Sequence, residues 1–156
     1  MATPQFIRDL RAHIGHAELW LPGVSVFVIQ DEQILLVRRK DNNQWTPITG
    51  ICDPGEQPDI AACRECLEET GVQVEPVKVI WVQAVGPVTY PNNDVASYMD
   101  IAFLCRPTAG HAHVADDENS EVRWFHLDDL PPMKARFTNT LQHALKDEPT
   151  GWANSL

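Results

Sequence analysis

The sequence predicts a mixed α/β sandwich formed by one domain. Three observations lead to this prediction. The chain has 156 residues, its composition of 44% hydrophobic and 22% charged residues is that of a soluble globular protein, and apolar runs rich in β-branched residues alternate with amphipathic segments. A chain of this length can bury roughly two thirds of the surface that it exposes when unfolded. It therefore needs neither a disulfide nor a structural metal to form a core.

The first half of the chain predicts one helix followed by several strands. Apolar residues between Phe6 and Ile14 recur at a spacing near 3.6 residues, which is typical of an amphipathic helix. After the pair Pro22-Gly23, an apolar run predicts a buried strand, and a polar turn joins it in a hairpin to the next strand. The predicted elements are a helix over 6–14, strands over 24–29, 34–37 and 44–48, and loops over 38–43 and 49–57.

The second half begins with the most clearly bounded helix. Pro58 suits the first helical position, since its missing N–H costs nothing there, and Gly71 suits the position after the last turn. The apolar side chains expected to pack inward from this helix are Ile60, Ala61, Cys63, Cys66 and Leu67. The remaining predicted elements are extended chain over 72–85, strands over 98–105 and 122–125, a helix over 137–146, and loops over 87–94 and 107–119.

The charge of the chain argues against some partners. Its 12 Lys and Arg against 22 Asp and Glu give a formal net charge of −10, and its largest basic cluster is Arg38-Arg39-Lys40. We therefore expect neither a nucleic-acid polymer nor a membrane surface as a partner, because both favour a basic face. A small phosphorylated molecule remains compatible, because a divalent cation can bridge an acidic site to it.

The sequence predicts a cytoplasmic protein. It has no run of about 18 apolar residues, and residues 1–11 lack the pattern of a signal peptide. Its four cysteines would be reduced in the cytosol and are expected to serve as small buried apolar residues. The spacing Cys63-x-x-Cys66 also allows half of a zinc site or a redox pair.

Three carboxylates lie close together on the helix that follows Pro58. Glu65, Glu68 and Glu69 stand at positions i, i+3 and i+4, which places them on one helical face. Such a face is either a solvated acidic surface or a site for a hard divalent cation, since Mg²⁺ and Mn²⁺ prefer clustered oxygen ligands. The helix alone leaves both interpretations open.

A longer pattern surrounds this helix and favours the metal site. Its residues are Gly50, Glu56, Arg64, Glu65, Glu68, Glu69 and Gly71, followed by the aliphatic Val72, in the order Gly-x5-Glu-x7-Arg-Glu-U-x-Glu-Glu-x-Gly-U, where U is a bulky aliphatic residue. This pattern resembles the Nudix box, and a chance match at a given register has a probability on the order of 10⁻⁸. Two positions depart from the usual pattern: Cys66 stands at the first U, and Thr49 stands where many members have a second glycine.

The resemblance implies a fold, a domain arrangement and an activity. The fold would be a Nudix-type α/β/α sandwich with a mixed sheet, with a short N-terminal helical extension over 1–20 and the Nudix hydrolase domain over 21–156. The activity would be Mg²⁺- or Mn²⁺-dependent hydrolysis of a phosphoric anhydride bond in a nucleoside diphosphate linked to another moiety, such as a nucleoside triphosphate or an ADP-ribose-like compound. The alternative is a non-catalytic nucleotide-sensing Nudix domain. Homodimers are common among such proteins, so a homodimer is also expected.

The resemblance also assigns residues to the site. Glu65 and Glu69 would be the main metal ligands, joined by the Gly50 carbonyl, and Glu68 would be a further or water-mediated ligand. Arg64 would pair with Glu56 and so hold the catalytic carboxylates in place. The alternative for Arg64 is a surface ion pair with Glu68 four residues on, worth only a few tenths of a kcal/mol.

The family often uses one more acid from a later loop as a base or a metal ligand. Glu118 is the preferred candidate and Glu121 the second, within an acidic segment that also holds Asp116 and Asp117. Other bases to consider are His111, His113 and His126.

Substrate contacts are less sharply indicated. Arg38, Arg39 and Tyr90 are candidate substrate-binding residues, because they follow a strand that borders the cleft in this fold or lie in a turn-rich loop. The sequence allows two roles, stacking on a base or packing in the core, for each of the aromatic residues Trp45, Trp81, Tyr90 and Tyr98.

Overall fold

The computed structural model describes residues 3–152, which form three helices and eight strands. In chain order these are α1 (Gln5–Ile14), β1 (Leu19–Gln30), β2 (Gln33–Arg39), β3 (Trp45–Thr46), β4 (Ile48–Ile51), α2 (Pro58–Thr70), β5 (Gln73–Thr89), β6 (Val95–Ala109), β7 (Asn119–His126), α3 (Ala135–Leu145) and β8 (Gly151–Trp152). No helix within residues 3–152 is both long and apolar enough to cross a membrane.

The strands form one mixed sheet with β1 at its centre. β1 runs parallel to β6 over residues 19–28 and antiparallel to β4 over residues 23–26. The last two residues of β1 then pair with β2, which carries β3 and β7 as antiparallel partners. The long β5–β6 hairpin extends the sheet on the other side and ends in the short β8.

Side chains of the central strands alternate between two cores, one beneath α2 and one beneath α3. Val26 and Leu35 pack with residues of α2, whereas Phe27 and Leu36 pack with residues of α3. Because successive residues of a strand point to opposite faces, α2 and α3 cover opposite faces of the sheet. The predicted α/β/α sandwich with a mixed sheet is confirmed.

The N-terminal helix packs beside this sandwich. Ile7 of α1 is buried with Leu21 and Ala96, while Leu10 and Ile14 are exposed. The predicted helix is therefore present. The domain boundary after residue 20 and the homodimer stay predictions, and the ends of the predicted ranges, 1–2 and 153–156, lie outside the described residues.

Some predicted loops are strands. Residues 49–51 form part of β4, because they pair with β1, and residues 87–89 and 107–109 extend β5 and β6, because the hairpin continues past the predicted turns. Pairing between distant segments overrides the local turn-forming composition in each case. The predicted bounds of α2 are confirmed, since it begins at Pro58 and is capped by Gly71 in the left-handed region, at a φ of 71°.

The cysteines serve as packing residues. Cys52, Cys66 and Cys105 are buried in the core beneath α2, Cys63 packs against it, and all four are free. Burial raises the pKa of the Cys66 and Cys105 thiols to about 12, so they stay protonated at neutral pH. Within residues 3–152, no cluster of three potential metal ligands includes Cys63 or Cys66.

Candidate active site

Helix α2 turns two of its three glutamates into the protein. Glu65 and Glu69 are 0% and 2% exposed, whereas the side chain of Glu68 is 42% exposed. The interpretation as a solvated acidic face is wrong for the first two. The expectation that Ile60 and Leu67 pack inward is also wrong, since both are exposed. The helix is instead rotated so that a carboxylate face lies beside its small buried residues.

Gly50 makes room for Glu65. A Cβ added at Gly50 of β4 would overlap the Glu65 carboxylate, so only glycine allows that carboxylate to lie against the strand backbone. The glycine of the pattern thus has a steric reason in this chain, and the predicted neighbours Gly50 and Glu65 are brought together.

Arg64 of α2 holds the Glu65 carboxylate and links it to Glu56. Its guanidinium donates to both oxygens of Glu56, at 2.8 and 2.9 Å, and to Glu65 Oε1 at 2.9 Å. It also donates to the Ile51 carbonyl at 3.1 Å and to Glu68 at 3.3 Å. The surface pair with Glu68 is only the weakest of these contacts. The Arg64 hydrogen bonds hold the pKa of Glu56 below its usual range, so Glu56 is ionised and keeps the arginine in place.

A second group of acids approaches α2 from the loop before β7. Carboxylate oxygens of Glu69, Asp116 and Glu118 all lie within 4.8 Å of one another. Backbone hydrogen bonds fix the loop on the end of the helix, from His113 N to the Thr70 carbonyl at 3.0 Å and from Ala115 N to the Glu69 carbonyl at 3.2 Å. Three carboxylates this close repel each other unless a cation or hydrogen bonds offset their charge.

The structure separates the two late-acid candidates. Glu118 lies in the cluster, whereas Glu121 pairs with Arg38 at 2.8 Å across β2 and β7. Sequence reasoning missed Asn119, which donates from Nδ2 to Glu69 Oε2 at 3.1 Å and to Asp116 Oδ1 at 3.3 Å. A lone asparagine after an acidic run carries no spacing signal that could have indicated these contacts.

Burial and like charge disfavour ionisation of the two inner glutamates. Burial raises the pKa of Glu65 to about 7 even though Arg64 counteracts it. Burial, followed by the charges of Asp116 and Glu65, raises the pKa of Glu69 to about 8. In addition, Glu65 Oε2 is buried and has no hydrogen-bond partner within residues 3–152. A divalent cation would satisfy this oxygen and offset the repulsion, so the donor set fits Mg²⁺ or Mn²⁺.

A cleft of about 940 Å³ opens beside these carboxylates. Gly50, Glu118, Arg39, Tyr90 and Tyr98 are among the residues that line it. The hydroxyls of the two tyrosines are hydrogen-bonded to each other. Arg39 pairs bidentately with Asp41, at 3.0 and 2.9 Å. Arg38 is not among the lining residues, because it faces Glu121.

The other aromatic and histidine candidates lie elsewhere. Trp45 packs edge-on against Phe125, and Trp81 donates from Nε1 to Thr140 at 3.0 Å, both in the core beneath α3. The ring of His113 lies next to Gly71, while His126 faces Glu32 and Asp128. Of the three candidate histidines, His111, His113 and His126, none lines the 940 Å³ cleft as described over residues 3–152.

Comparisons with known proteins agree on one family. A family model described as the NUDIX domain matches residues 19–146. The NAD-capped RNA hydrolase NudC of Vibrio cholerae is 33% identical over 119 residues, 75% of this chain and 41% of that protein. NudC of Pseudomonas syringae pv. tomato is 28% identical over 141 residues, 86% of this chain and 48% of that protein. The chain thus spans less than half the length of these relatives.

Solved structures are similar over most of the chain. The MutT NUDIX hydrolase from Burkholderia pseudomallei is 27% identical, with a TM-score of 0.67 over 80% of this chain and 98% of that one. An ADP-ribose pyrophosphatase from Streptococcus suis has a TM-score of 0.69 over 85% of this chain and 98% of that one. At 24% identity, the second likeness concerns the fold alone.

Proposed function

Since the chain belongs to the Nudix hydrolase family, we propose that it hydrolyses a phosphoric anhydride bond in a nucleoside diphosphate linked to another moiety, with Mg²⁺ or Mn²⁺ as cofactor. The observation that carries this proposal is the pair of buried glutamates on α2, Glu65 and Glu69. Glu69 lies within 4.8 Å of carboxylate oxygens of the acidic loop, and Glu118 of that loop lines a large cleft. Buried carboxylates with raised pKa values at a cleft are typical of catalytic sites.

The residues that would hold the cation are the Gly50 carbonyl, Glu65, Glu68, Glu69 and Glu118. When bound, such a cation neutralises phosphate charge and lowers the pKa of a water molecule. Glu65 and Glu69 stand four residues apart on one rigid helix, so their separation is fixed before any ligand arrives. Glu118 comes from the loop and completes the set from the cleft side.

The other site residues orient this machinery and the substrate. Arg64 favours the ionised form of the Glu65 carboxylate, against the effect of burial, and holds it in place through the hydrogen bond at 2.9 Å. Burial lowers the pKa of the Arg39 guanidinium, but its hydrogen bonds with Asp41 and, to a smaller extent, the charges of Glu118 and Glu69 raise it overall. Arg39 also lines the cleft, which makes it the candidate for binding a phosphate. Tyr90 also lines the cleft, and its hydroxyl is hydrogen-bonded to that of Tyr98.

The cleft suits a nucleotide-sized ligand, since pockets for small ligands occupy about 300–1,000 Å³. Nucleoside triphosphates and ADP-ribose-like compounds are the proposed substrates. The names of the NudC relatives add NAD-type dinucleotides to the compounds worth testing. The net charge of −10 favours a small molecule over an RNA polymer.

The test is a panel of nucleoside triphosphates, ADP-ribose, NAD⁺, NADH and an NAD-capped RNA, incubated with the purified protein and Mg²⁺. We expect a nucleoside monophosphate among the products of at least one compound, with activity lost on chelation. Glu69→Gln should abolish this turnover, while Glu121→Gln, the same change outside the cluster, should retain it. Turnover of no compound, or equal turnover by Glu69→Gln, would contradict the proposal.

A further inference from the structure

Asn119 joins the two groups of acids at the candidate active site. It is the first residue of β7, and it is 1% exposed. Its side-chain nitrogen donates to Glu69 of α2 at 3.1 Å and to Asp116 of the preceding loop at 3.3 Å. One amide therefore connects the helix and the loop whose carboxylates come together.

A β-bulge directs this side chain inward. β2 and β7 pair Arg38 with Glu121 but Arg39 with Asn119, so Ser120 is an extra residue in β7. A bulge increases the local twist and changes the direction of neighbouring side chains, and bulges are frequent next to active sites. In a regular ladder Ser120 would stand opposite Arg39 in place of Asn119.

The chemistry of the amide suits carboxylates that carry charge. Its nitrogen has two N–H donors and no acceptor, so each of the two acids can receive one hydrogen. The opposite orientation would place the amide oxygen against two carboxylates. Asn119 Oδ1 is buried and has no hydrogen-bond partner within residues 3–152. An unpaired buried acceptor costs stability, and the two hydrogen bonds from the amide nitrogen to carboxylates offset that cost.

We propose that Asn119 is a positioning residue that holds Glu69 and Asp116 together against their mutual repulsion. It thereby sets the geometry in which the acids of α2 and of the loop meet a divalent cation. Asn119 is not itself a ligand in this proposal, which rests on the metal-dependent function proposed above.

Direct metal binding tests this role without substrate. Mn²⁺ is titrated calorimetrically into the wild-type protein, Asn119→Leu and Asn119→Ala. Ser120→Ala is the matched control, because it removes only the hydrogen bond from Ser120 Oγ to the Arg38 carbonyl within the same bulge. We expect the Kd for Mn²⁺ to rise about tenfold or more in both Asn119 variants, as is usual when a residue that orients a metal ligand is removed, and to stay unchanged in Ser120→Ala.

Kinetics and unfolding separate positioning from stability. Saturating Mn²⁺ should restore part of the lost kcat in the Asn119 variants, with little change in KM for the substrate. An unchanged Kd for Mn²⁺ in a folded Asn119 variant would overturn the inference, and so would failure of both variants to fold in the presence of Mn²⁺. If the wild-type protein binds Mn²⁺ but hydrolyses nothing, the proposed function fails while this inference is still decided by the Kd values.

Discussion

Arg64 and Glu56 are joined by two parallel hydrogen bonds, from Nε to Oε1 at 2.8 Å and from Nη2 to Oε2 at 2.9 Å. The loop that carries Glu56 is thereby attached to the helix that carries Glu65 and Glu69. Bidentate pairs of this kind fix direction as well as distance, so the loop, β4 and α2 are held as one unit.

Loss of this pair should destabilise the protein. We expect Glu56→Gln to lower the free energy of unfolding by about 1–3 kcal/mol, because a partly buried guanidinium loses a charged partner. Glu75→Gln is the matched control, since it breaks the exposed pair of Glu75 with Arg106 and should change stability by at most about 0.5 kcal/mol. Urea denaturation measures both. Equal losses in the two variants would show that the Arg64–Glu56 pair contributes no more to stability than an exposed ion pair.

Gly50→Ala should affect activity through Glu65. The added Cβ would displace the Glu65 carboxylate, and a displacement of about 1 Å can cost on the order of 100-fold in rate. Gly151→Ala is the control, because an added Cβ there meets no heavy atom within 4 Å in the described part of the chain. We expect kcat/KM to fall about 100-fold only in Gly50→Ala. A Gly50→Ala protein with wild-type kcat/KM would show that Glu65 can lie elsewhere.

The metal-free protein should lose stability as the pH rises. In the folded protein the pKa values of Glu65 and Glu69 are about 7 and about 8, above the ordinary 4.5 of an unfolded glutamate. Between these values the folded state binds more protons than the unfolded state, so the free energy of unfolding falls from about pH 5 to about pH 8. Thermal unfolding in the presence of a chelator measures this slope.

The same coupling between carboxylate ionisation and folding predicts how Mg²⁺ affects the stability of the protein. Mg²⁺ should raise Tm more at about pH 8.5 than at about pH 6, because its carboxylate ligands must be ionised to bind it. Glu69→Gln should reduce both the pH slope and the effect of Mg²⁺. A metal-free Tm that rises over this pH interval, or a slope equal in wild type and variant, would contradict the prediction.

The contribution of Arg136 to stability should depend on pH, because Arg136 lies near the buried carboxyl of Asp100. Burial raises the pKa of the Asp100 carboxyl, while Arg136 at 4.0 Å and the hydroxyl of Ser25 lower it. Arg136→Met should therefore lower the free energy of unfolding by about 1–2 kcal/mol at about pH 8 and by less at about pH 5, because loss of the cation raises the pKa of Asp100 further and a lower pH favours its uncharged form. Arg123→Met is the control, because the Arg123 guanidinium lies over the rings of Trp45 and Phe125. The stability lost in this variant should not vary with pH.

Urea denaturation at the two pH values measures both losses. An Arg136→Met loss that is the same at both pH values would show that the charge of Asp100 does not depend on Arg136.

Local chemistry explains what could be predicted from the sequence. The bounds of α2 follow from Pro58 and Gly71, whose backbone preferences act within the chain itself. The approach of Gly50 to Glu65 could be predicted from the sequence only because both residues belong to a long motif. Motif spacing recovers contacts that local propensity does not encode.

Contacts that depend on strand register could not be predicted. The bulge at Ser120 decides that Asn119 faces Glu69 and that Glu121 faces Arg38, and one extra residue in a strand leaves no trace in composition or periodicity. The rotation of α2 is a similar case. Ile60 and Leu67 suggest the wrong inner face, because the contacts of Glu65 and Glu69 with distant residues set the orientation of the helix.

The lining of the cleft has separate origins in the chain. Gly50 of β4 and Glu118 of the loop that follows β6 lie next to the acids, while other lining residues come from α1, the β5–β6 turn and the start of α3. Substitutions in this second group can therefore alter which compound is accepted without touching the groups that react. Such a division allows substrate preference to diverge between descendants of one ancestor while the chemistry is inherited unchanged, and it marks α1 and the β5–β6 turn as the segments to randomise when a new preference is selected in the laboratory.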